Sequence, residues 1–327
     1  MMQPCCGMAL RNSNSVPLGR KGVKIVPTVF WTGKLSLSMK LMANISNALA
    51  WITGNARDTA AMKQRMKLGY EGACTEHVTR YDDLGLEHYT KIATELLKRV
   101  DLRGKEVLDV GCGTGILSLL ALEQGAVKVV GGDLSEYMLD QCRTKATAQG
   151  YSANRVDFRQ LDAESLPFDD NSFDAVVSGM VLGLVPDQKK TVTEMARGLR
   201  PGGTLALSTH GQDHYMEAND AAFRAISKRY ILGYRIEFWP RKETEIRDML
   251  GQAGLVDVRT CRLTWQHGFE TGGKAYDFFA ATSASWWYAK FPPDKIAEDS
   301  QKTRDYFERK GVTQITGDVI LAYGRKP

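Results

Sequence analysis

Between residues 84 and 325 the chain alternates short apolar runs with longer amphipathic segments, and this rhythm restricts the possible folds more than any other feature. The runs "KEVLDVG", "VKVVGGD", "VDFRQLDA", "FDAVVSGMVL", "TLALSTHG", "LVDVRTCRL" and "TQITGDVILAYGRK" read as strands. In "LEHYTKIATELLKRV" the apolar residues recur at helical spacing, and Leu86, Ile92, Leu96 and Leu97 are predicted to face a core. "GILSLLALEQGA" reads as a helix stopped by Gly125. "SEYMLDQCRTKATAQG" reads as one capped by Ser135 and stopped by Gly150. "DQKKTVTEMARGL" and "KETEIRDMLGQAG" complete the set. Strands that alternate with helices imply an α/β fold, a mostly parallel sheet with helices on both faces. The wholly apolar centre Ala175-Val176-Val177 suits a strand covered on both sides.

Charge is unevenly spread. The chain has 327 residues with 43 basic and 38 acidic side chains, yet residues 1–57 contain no Asp or Glu. That arm carries Arg11, Arg20, Lys21, Lys24, Lys34, Lys40 and Arg57, which leaves 36 basic against 38 acidic residues in the body. A nearly neutral body gives no sign of a nucleic-acid surface. The acid-free arm reads either as an organelle transit peptide or as a disordered tail or upstream extension. The expected division is therefore an arm over 1–57 and one domain over 58–327. Its compartment is cytoplasmic, or mitochondrial or otherwise organellar if the arm is a transit peptide. No apolar run is long enough to cross a membrane. The six cysteines form no C-x-x-C pair and no zinc pattern, so no metal is expected. Free thiols in a reducing compartment, or sulfur ligands for a soft metalloid substrate, are the readings left open.

The stretch "VLDVGCGTGIL" packs Gly111, Gly113 and Gly115 into five positions after the first strand. In such a sheet the ligand sits at the carboxyl ends of the strands, where the strand order reverses. The spacing is G-x-G-x-G with Ile116 next, not the G-x-G-x-x-G of a dinucleotide site. Asp133 closes the second strand, 22 positions after Gly111, where a carboxylate accepts from ribose hydroxyls. Asp162 and Ala163 follow the third strand, placed for adenine. Asp109, before the first glycine, is expected to face an amino-acid ammonium through backbone or water. Ribose, adenine and a cationic amino acid without pyrophosphate describe S-adenosylmethionine.

These segments resemble the class I S-adenosylmethionine-dependent methyltransferases, and within them the small-molecule, type 11-like subgroup. "VLDVGCGTG", "GGDLSEYML", "QLDAESLPFDDNSFDAVVSG" and "LRPGGTLALS" carry the resemblance. It implies a Rossmann-like sheet of seven strands, the last antiparallel. It also implies cofactor contacts at Asp109, Gly111, Gly113, Gly115, Asp133, Leu134, Met138, Asp162, Ala163 and Ser178. "SGMVLG" replaces the Asn-Pro-Pro-Tyr loop of enzymes that methylate exocyclic base amines or glutamine amides, which argues against those substrates. "YDDLGLEHY" lacks the wording of quinone C-methyltransferases, which argues against a quinone.

Methyl transfer needs an acceptor atom in line with the S–CH3 bond at about 3–3.5 Å, and a base only where the acceptor carries a proton. His210 and His214, flanking the end of the fifth strand, are the candidate bases. His77 and Tyr81 are placed to close over the cofactor. Residues 211–241 and 263–312 exceed what the sheet needs and are expected to form a helical, aromatic-rich cap. Their rings are Tyr215, Tyr230, Tyr234, Phe238, Trp239, Trp265, Phe269, Tyr276, Phe278, Phe279, Trp286, Trp287, Tyr288 and Phe291. Such walls suit a small apolar or aromatic acceptor. The alternatives are a silent S-adenosylmethionine-binding protein and a methyltransferase acting on a macromolecule.

Overall fold

Leu108 and Val110 have no exposed surface, as suits β1 (Glu106–Val110), an interior strand of the sheet. The computed structural model describes residues 81–230, 242–284 and 295–327, together with Ala60, Lys63, Gln64 and Lys67. The arm over 1–57, His77, Tyr234, Phe238, Trp239, Trp286, Trp287, Tyr288 and Phe291 lie outside the described residues.

From β1 the chain winds through α2 (Ile116–Glu123), β2 (Lys128–Asp133), α3 (Glu136–Ala148) and β3 (Val156–Gln160). It then crosses to the other side of β1 as β4 (Phe173–Gly179), α4 (Gln188–Gly198) and β5 (Leu199–His210). β6 (Val256–Gly268) and β7 (Gln314–Arg325) complete seven strands in the order β3-β2-β1-β4-β5-β7-β6. β1 pairs in parallel with both β2 and β4, and β7 runs antiparallel to β5 and β6. The expected Rossmann-like α/β sheet is thus present. Its switch point falls between β1 and β4, so the carboxyl ends of β1, β2, β4 and β5 open onto one crevice.

Helix α1 (Tyr81–Leu97) lies over this edge, held by Ile92, Leu96 and Leu97. Each of these contributes roughly 1.5–3 kcal/mol by leaving water. Leu86, expected in that core, is instead 47% exposed. The buried stripe runs through Gly85, His88 and Ile92, and Leu86 lies about 100° around the helix from Gly85. A Cβ at Gly85 would meet the Thr282 methyl at 2.9 Å, so this turn of the helix approaches its neighbour without a side chain between them.

The cap has its own core. α5 (Met216–Tyr230), α7 (Gly272–Phe279) and α8 (Ile296–Lys310) bury Ala218, Phe223, Tyr276, Phe279 and Phe307 together. α6 (Glu243–Gln252) packs below with Ile246 and Leu250 on the other face of the sheet. The cap is shorter in its second part than expected. Residues 263–268 are not inserted but continue β6, because the ladder with β7 runs unbroken from Arg259 to Gly268. The aromatic content of "LTWQHG" concealed the alternation of a strand edge.

Candidate functional site

The turn after β1 is built around backbone that side chains would obstruct. Gly111 has φ +71, and a Cβ there would meet Val181 at 2.3 Å. Gly113 has φ +53, but its Cβ would meet no protein atom within 4 Å. That space belongs to a cleft of about 1450 Å³, including the part open to solvent, which both glycines line. Gly115 lies behind the cleft as the N-cap of α2, 3.0 Å from the Cys142 thiol on the same construction. Asp109 lies beneath the turn and is fully buried. One carboxylate oxygen accepts from the Ser118 hydroxyl at 2.7 Å and the other has no partner. Burial pushes its pKa up to about 7, against the lowering effect of the Ser118 hydrogen bond. Its carboxylate does not line the cleft, so any influence on a bound ammonium would act through the turn above it.

Asp133 at the end of β2 is held by two main-chain donors, Gly113 N–H and Ser135 N–H, each at 3.0 Å. Leu134, Ser135 and Met138 continue the wall along the start of α3, whose cap is the Ser135 hydroxyl accepting from Met138 N–H. Asp162 and Ala163 close that end beyond β3. Lys63 reaches Asp162 at 2.6 Å and Glu164 at 2.8 Å. Burial works to lower the Lys63 pKa, but the two carboxylates outweigh it and the net shift is upward. Burial likewise works to raise the Asp162 pKa, and the Lys63 hydrogen bond turns the net shift downward.

On the other side of the glycine turn the wall is apolar. Met180, Val181, Leu184, Val185 and Pro186 follow β4, and Tyr81, Tyr89, Thr282 and Ser283 face them from α1 and from the π-helical turn Ala280–Ala284. Tyr81 and Tyr89 stack at 4.8 Å. His210, His214, Tyr215 and Asn219 form the far end. Burial lowers the His210 pKa to about 4, with Asp318 acting in the opposite direction. Its Nδ1 is buried without a partner. Burial and then His210 and His88 hold His214 well below the usual histidine range. Its Nδ1 lies 2.8 Å from the Asp318 carbonyl.

Of the residues expected to touch the cofactor, Tyr81, Gly111, Gly113, Asp133, Leu134, Met138, Asp162 and Ala163 line the cleft, as do both candidate histidines. Asp109, Gly115 and Ser178 do not. Ser178 is buried in β4, with its hydroxyl donating to Val110 C=O at 2.8 Å. Among the described cap rings only Tyr215 reaches the cleft, while Tyr276, Phe278 and Phe279 are buried in the cap core. Lys63, Tyr89, the 180–186 loop, Asn219 and Thr282 were missed by sequence reasoning. Only the loop carried a signal, through its place immediately after β4.

The methyltransferase-domain family matches residues 108–207, from β1 to β5. A demethylmenaquinone methyltransferase of Clavibacter sepedonicus is 34% identical over 176 residues, covering 49% of this chain and 69% of that protein. A second, from Listeria monocytogenes, is 35% identical over 50% of this chain and 71% of its own length. The chain belongs to the class I S-adenosylmethionine-dependent methyltransferases. A phosphatidylethanolamine N-methyltransferase of Cereibacter sphaeroides is 40% identical over 34% of this chain and 53% of that protein. The YcgJ protein of Bacillus subtilis shares the fold, with a TM-score of 0.52 at 22% identity over 73% of this chain and 98% of that one. This methyltransferase has no described helix long and apolar enough to cross a membrane. Its residues fit the family's cofactor on two local observations, the open space beside Gly113 and the Asp133 carboxylate fixed by main chain at the rim of that space.

Proposed function

We propose that this methyltransferase transfers the methyl group of S-adenosylmethionine to a small apolar or aromatic acceptor held between the ends of β4 and β5 and the helical cap. The observation that carries this reading is the wall of Met180, Val181, Leu184, Val185 and Pro186 facing the rings of Tyr89 and Tyr215. Among the described residues no acidic side chain lines that half; Asp133 and Asp162 lie at the other. The relatives named for demethylmenaquinone and phosphatidylethanolamine support an apolar acceptor. They also bring quinones back among the acceptors, against the expectation drawn from "YDDLGLEHY".

Bound S-adenosylmethionine supplies a methyl already activated by its sulfonium. The chain's part is placement. Asp133 is set to accept from the ribose hydroxyls, Leu134, Leu161 and Ala163 to flank the adenine, and the 111–113 main chain to abut the amino-acid end. Aligning the acceptor and excluding water can contribute roughly 7–11 kcal/mol. His210 and His214 are proposed as neutral hydrogen-bond acceptors that orient a protonated acceptor atom. A proton resting on His210 is disfavoured by roughly 3 kcal/mol relative to an unperturbed histidine, so it serves orientation better than proton storage. The same reading takes residues 58–327 as one methyltransferase unit and 1–57 as a leader or tail, which the mature N-terminus of the native protein tests.

The experiment is incubation with methyl-labelled S-adenosylmethionine and a fractionated cell extract. Label should enter an organic-extractable small molecule, matched by S-adenosylhomocysteine. Label confined to protein or nucleic acid, or none transferred, would defeat the reading.

A further inference from the structure

The four described histidines gather at the acceptor end of the cleft, and two of them, His88 and His267, are hydrogen-bonded to each other. Trp265 Nε1–H is donor only and lies 2.7 Å from His267 Nε2, so that nitrogen is a bare acceptor. His88 Nδ1 lies 2.9 Å from the same Nε2 and must therefore carry a hydrogen. A neutral His88 then has a bare Nε2, and the Tyr215 hydroxyl donates to it at 3.1 Å. Tyr215 lines the cleft, while His267 at the other end of the chain of bonds is partly exposed.

The placement costs the fold something. His88 is 1% exposed on the core face of α1, where a leucine would pack without desolvating two ring nitrogens. Tyr215 takes φ +54, a left-handed backbone that an aromatic residue adopts reluctantly and that recurs at functional sites. Its N–H donates to Thr316 C=O at 2.7 Å and its ring stacks on His214 at 4.0 Å, which holds the hydroxyl between His88 and the Thr282 side chain.

We propose that Tyr215 takes the acceptor's proton as the methyl is transferred, and that His88, held by His267, accepts the proton Tyr215 gives up. This rests on the reading of the cleft as the acceptor site and narrows the acceptor to one bearing an ionisable O–H, N–H or activated C–H. As the acceptor atom bonds to the methyl carbon, the S–CH3 bond breaks and its electron pair stays on sulfur. The acceptor's proton passes to Tyr215 Oη while the tyrosine's own proton passes to His88 Nε2. His88 becomes an imidazolium whose Nδ1–H donates to His267 Nε2, the nitrogen that Trp265 keeps as an acceptor. The sum is sulfonium plus acceptor giving thioether, methylated acceptor and one proton. With the cleft open, that proton returns through Tyr215 to water and restores neutral His88. Burial holds the Tyr215 pKa well above its ordinary value. Burial, then His267, His210 and Lys91, hold that of His88 well below its own. The resting relay is therefore neutral throughout. Tyr215 is the catalytic residue here, and His88 and His267 act through it.

Two measurements test this on the full chain. In ring-15N spectra of the S-adenosylhomocysteine complex at neutral pH, His88 should be the Nδ1–H tautomer, and Tyr215→Phe should shift its Nε2 resonance. An Nε2–H or doubly protonated His88 would overturn the relay. With the acceptor purified through labelled-methyl transfer, Tyr215→Phe and His88→Gln should each lower kcat by about 10²-fold or more. KM and S-adenosylhomocysteine affinity should be unchanged, and the wild type should show a solvent deuterium isotope effect that Tyr215→Phe alters. Wild-type kcat in Tyr215→Phe would overturn the relay and leave the acceptor site standing. A wild-type protein that labels no small molecule would remove the acceptor reading and the relay with it.

Discussion

Replacing Gly113 with alanine separates a glycine needed by the fold from one needed by a ligand. The residue has φ +53, and an added Cβ would meet no protein atom within 4 Å. Gly104, in the turn before β1, has φ +72 and equally open surroundings but does not line the cleft. Each substitution places alanine in left-handed backbone at a cost of roughly 1–2 kcal/mol. Thermal midpoints should therefore fall by similar amounts, about 2–8 °C at roughly 2–4 °C per kcal/mol. Only in Gly113→Ala does the new methyl enter space that a bound adenosyl ligand would fill. Overpacking of that kind costs roughly 1–3 kcal/mol. The affinity for S-adenosylhomocysteine should then weaken about 5–150-fold, since each 1.4 kcal/mol is about tenfold. Isothermal titration of both variants, with scanning calorimetry alongside, reads both numbers. Equal affinities in Gly113→Ala, Gly104→Ala and wild type would refute the claim that the turn is open for a ligand.

Asp133→Asn should weaken S-adenosylhomocysteine by roughly 10–100-fold, because charge-assisted hydrogen bonds to ribose contribute roughly 1.5–3 kcal/mol. Calorimetry showing wild-type affinity would contradict it. Asp109 has a pKa raised to about 7 in the folded state, so the folded protein holds a proton that the unfolded chain releases. Stability due to this group is therefore present at low pH, falls as pH rises from about 4 to about 7, and is flat above. Asp109→Asn should flatten that part of the profile in urea melts at pH 4.5 and 7; parallel profiles would refute it. Arg262→Met strands the fully buried Asp318, to which Arg262 Nε and Nη2 donate at 2.7 and 2.6 Å. The loss should be about 3 kcal/mol, the low end for a broken buried pair because Arg262 is 40% exposed. Adding Asp318→Asn should recover part of it in the same melts.

The proposed cofactor half of the cleft was legible because its parts are local in sequence. Each lies within a few residues of a strand end, so the Gly111–Gly115 turn, Asp133 and Asp162 could be placed by counting strands. Asp109 and Ser178 show the limit of that counting. They occupy the right strands, but β1 and β4 are covered on both faces, and their side chains satisfy internal partners. The acceptor half was mostly illegible because it is assembled from α1, the end of β5, the start of α5 and the turn after α7. Nothing in "LEHYTKIATELL" announced a partner for Tyr215. The available signal was a histidine on the Ile92 and Leu96 stripe, a polar residue where helical spacing demands an apolar one. Leu86 was misplaced for the complementary reason, since Gly85 holds the position that packs.

The central claim is that the ends of β1 and β2 hold the adenosyl group while the ends of β4 and β5 face its sulfur. A crystal structure of the full chain with S-adenosylhomocysteine measures this directly. The ribose hydroxyls should lie within hydrogen-bond reach of the Asp133 carboxylate, and the open side of the sulfur should point past Met180 toward Tyr215. A nucleoside seated against Met180–Pro186, or a sulfur turned away from Tyr215, would contradict it.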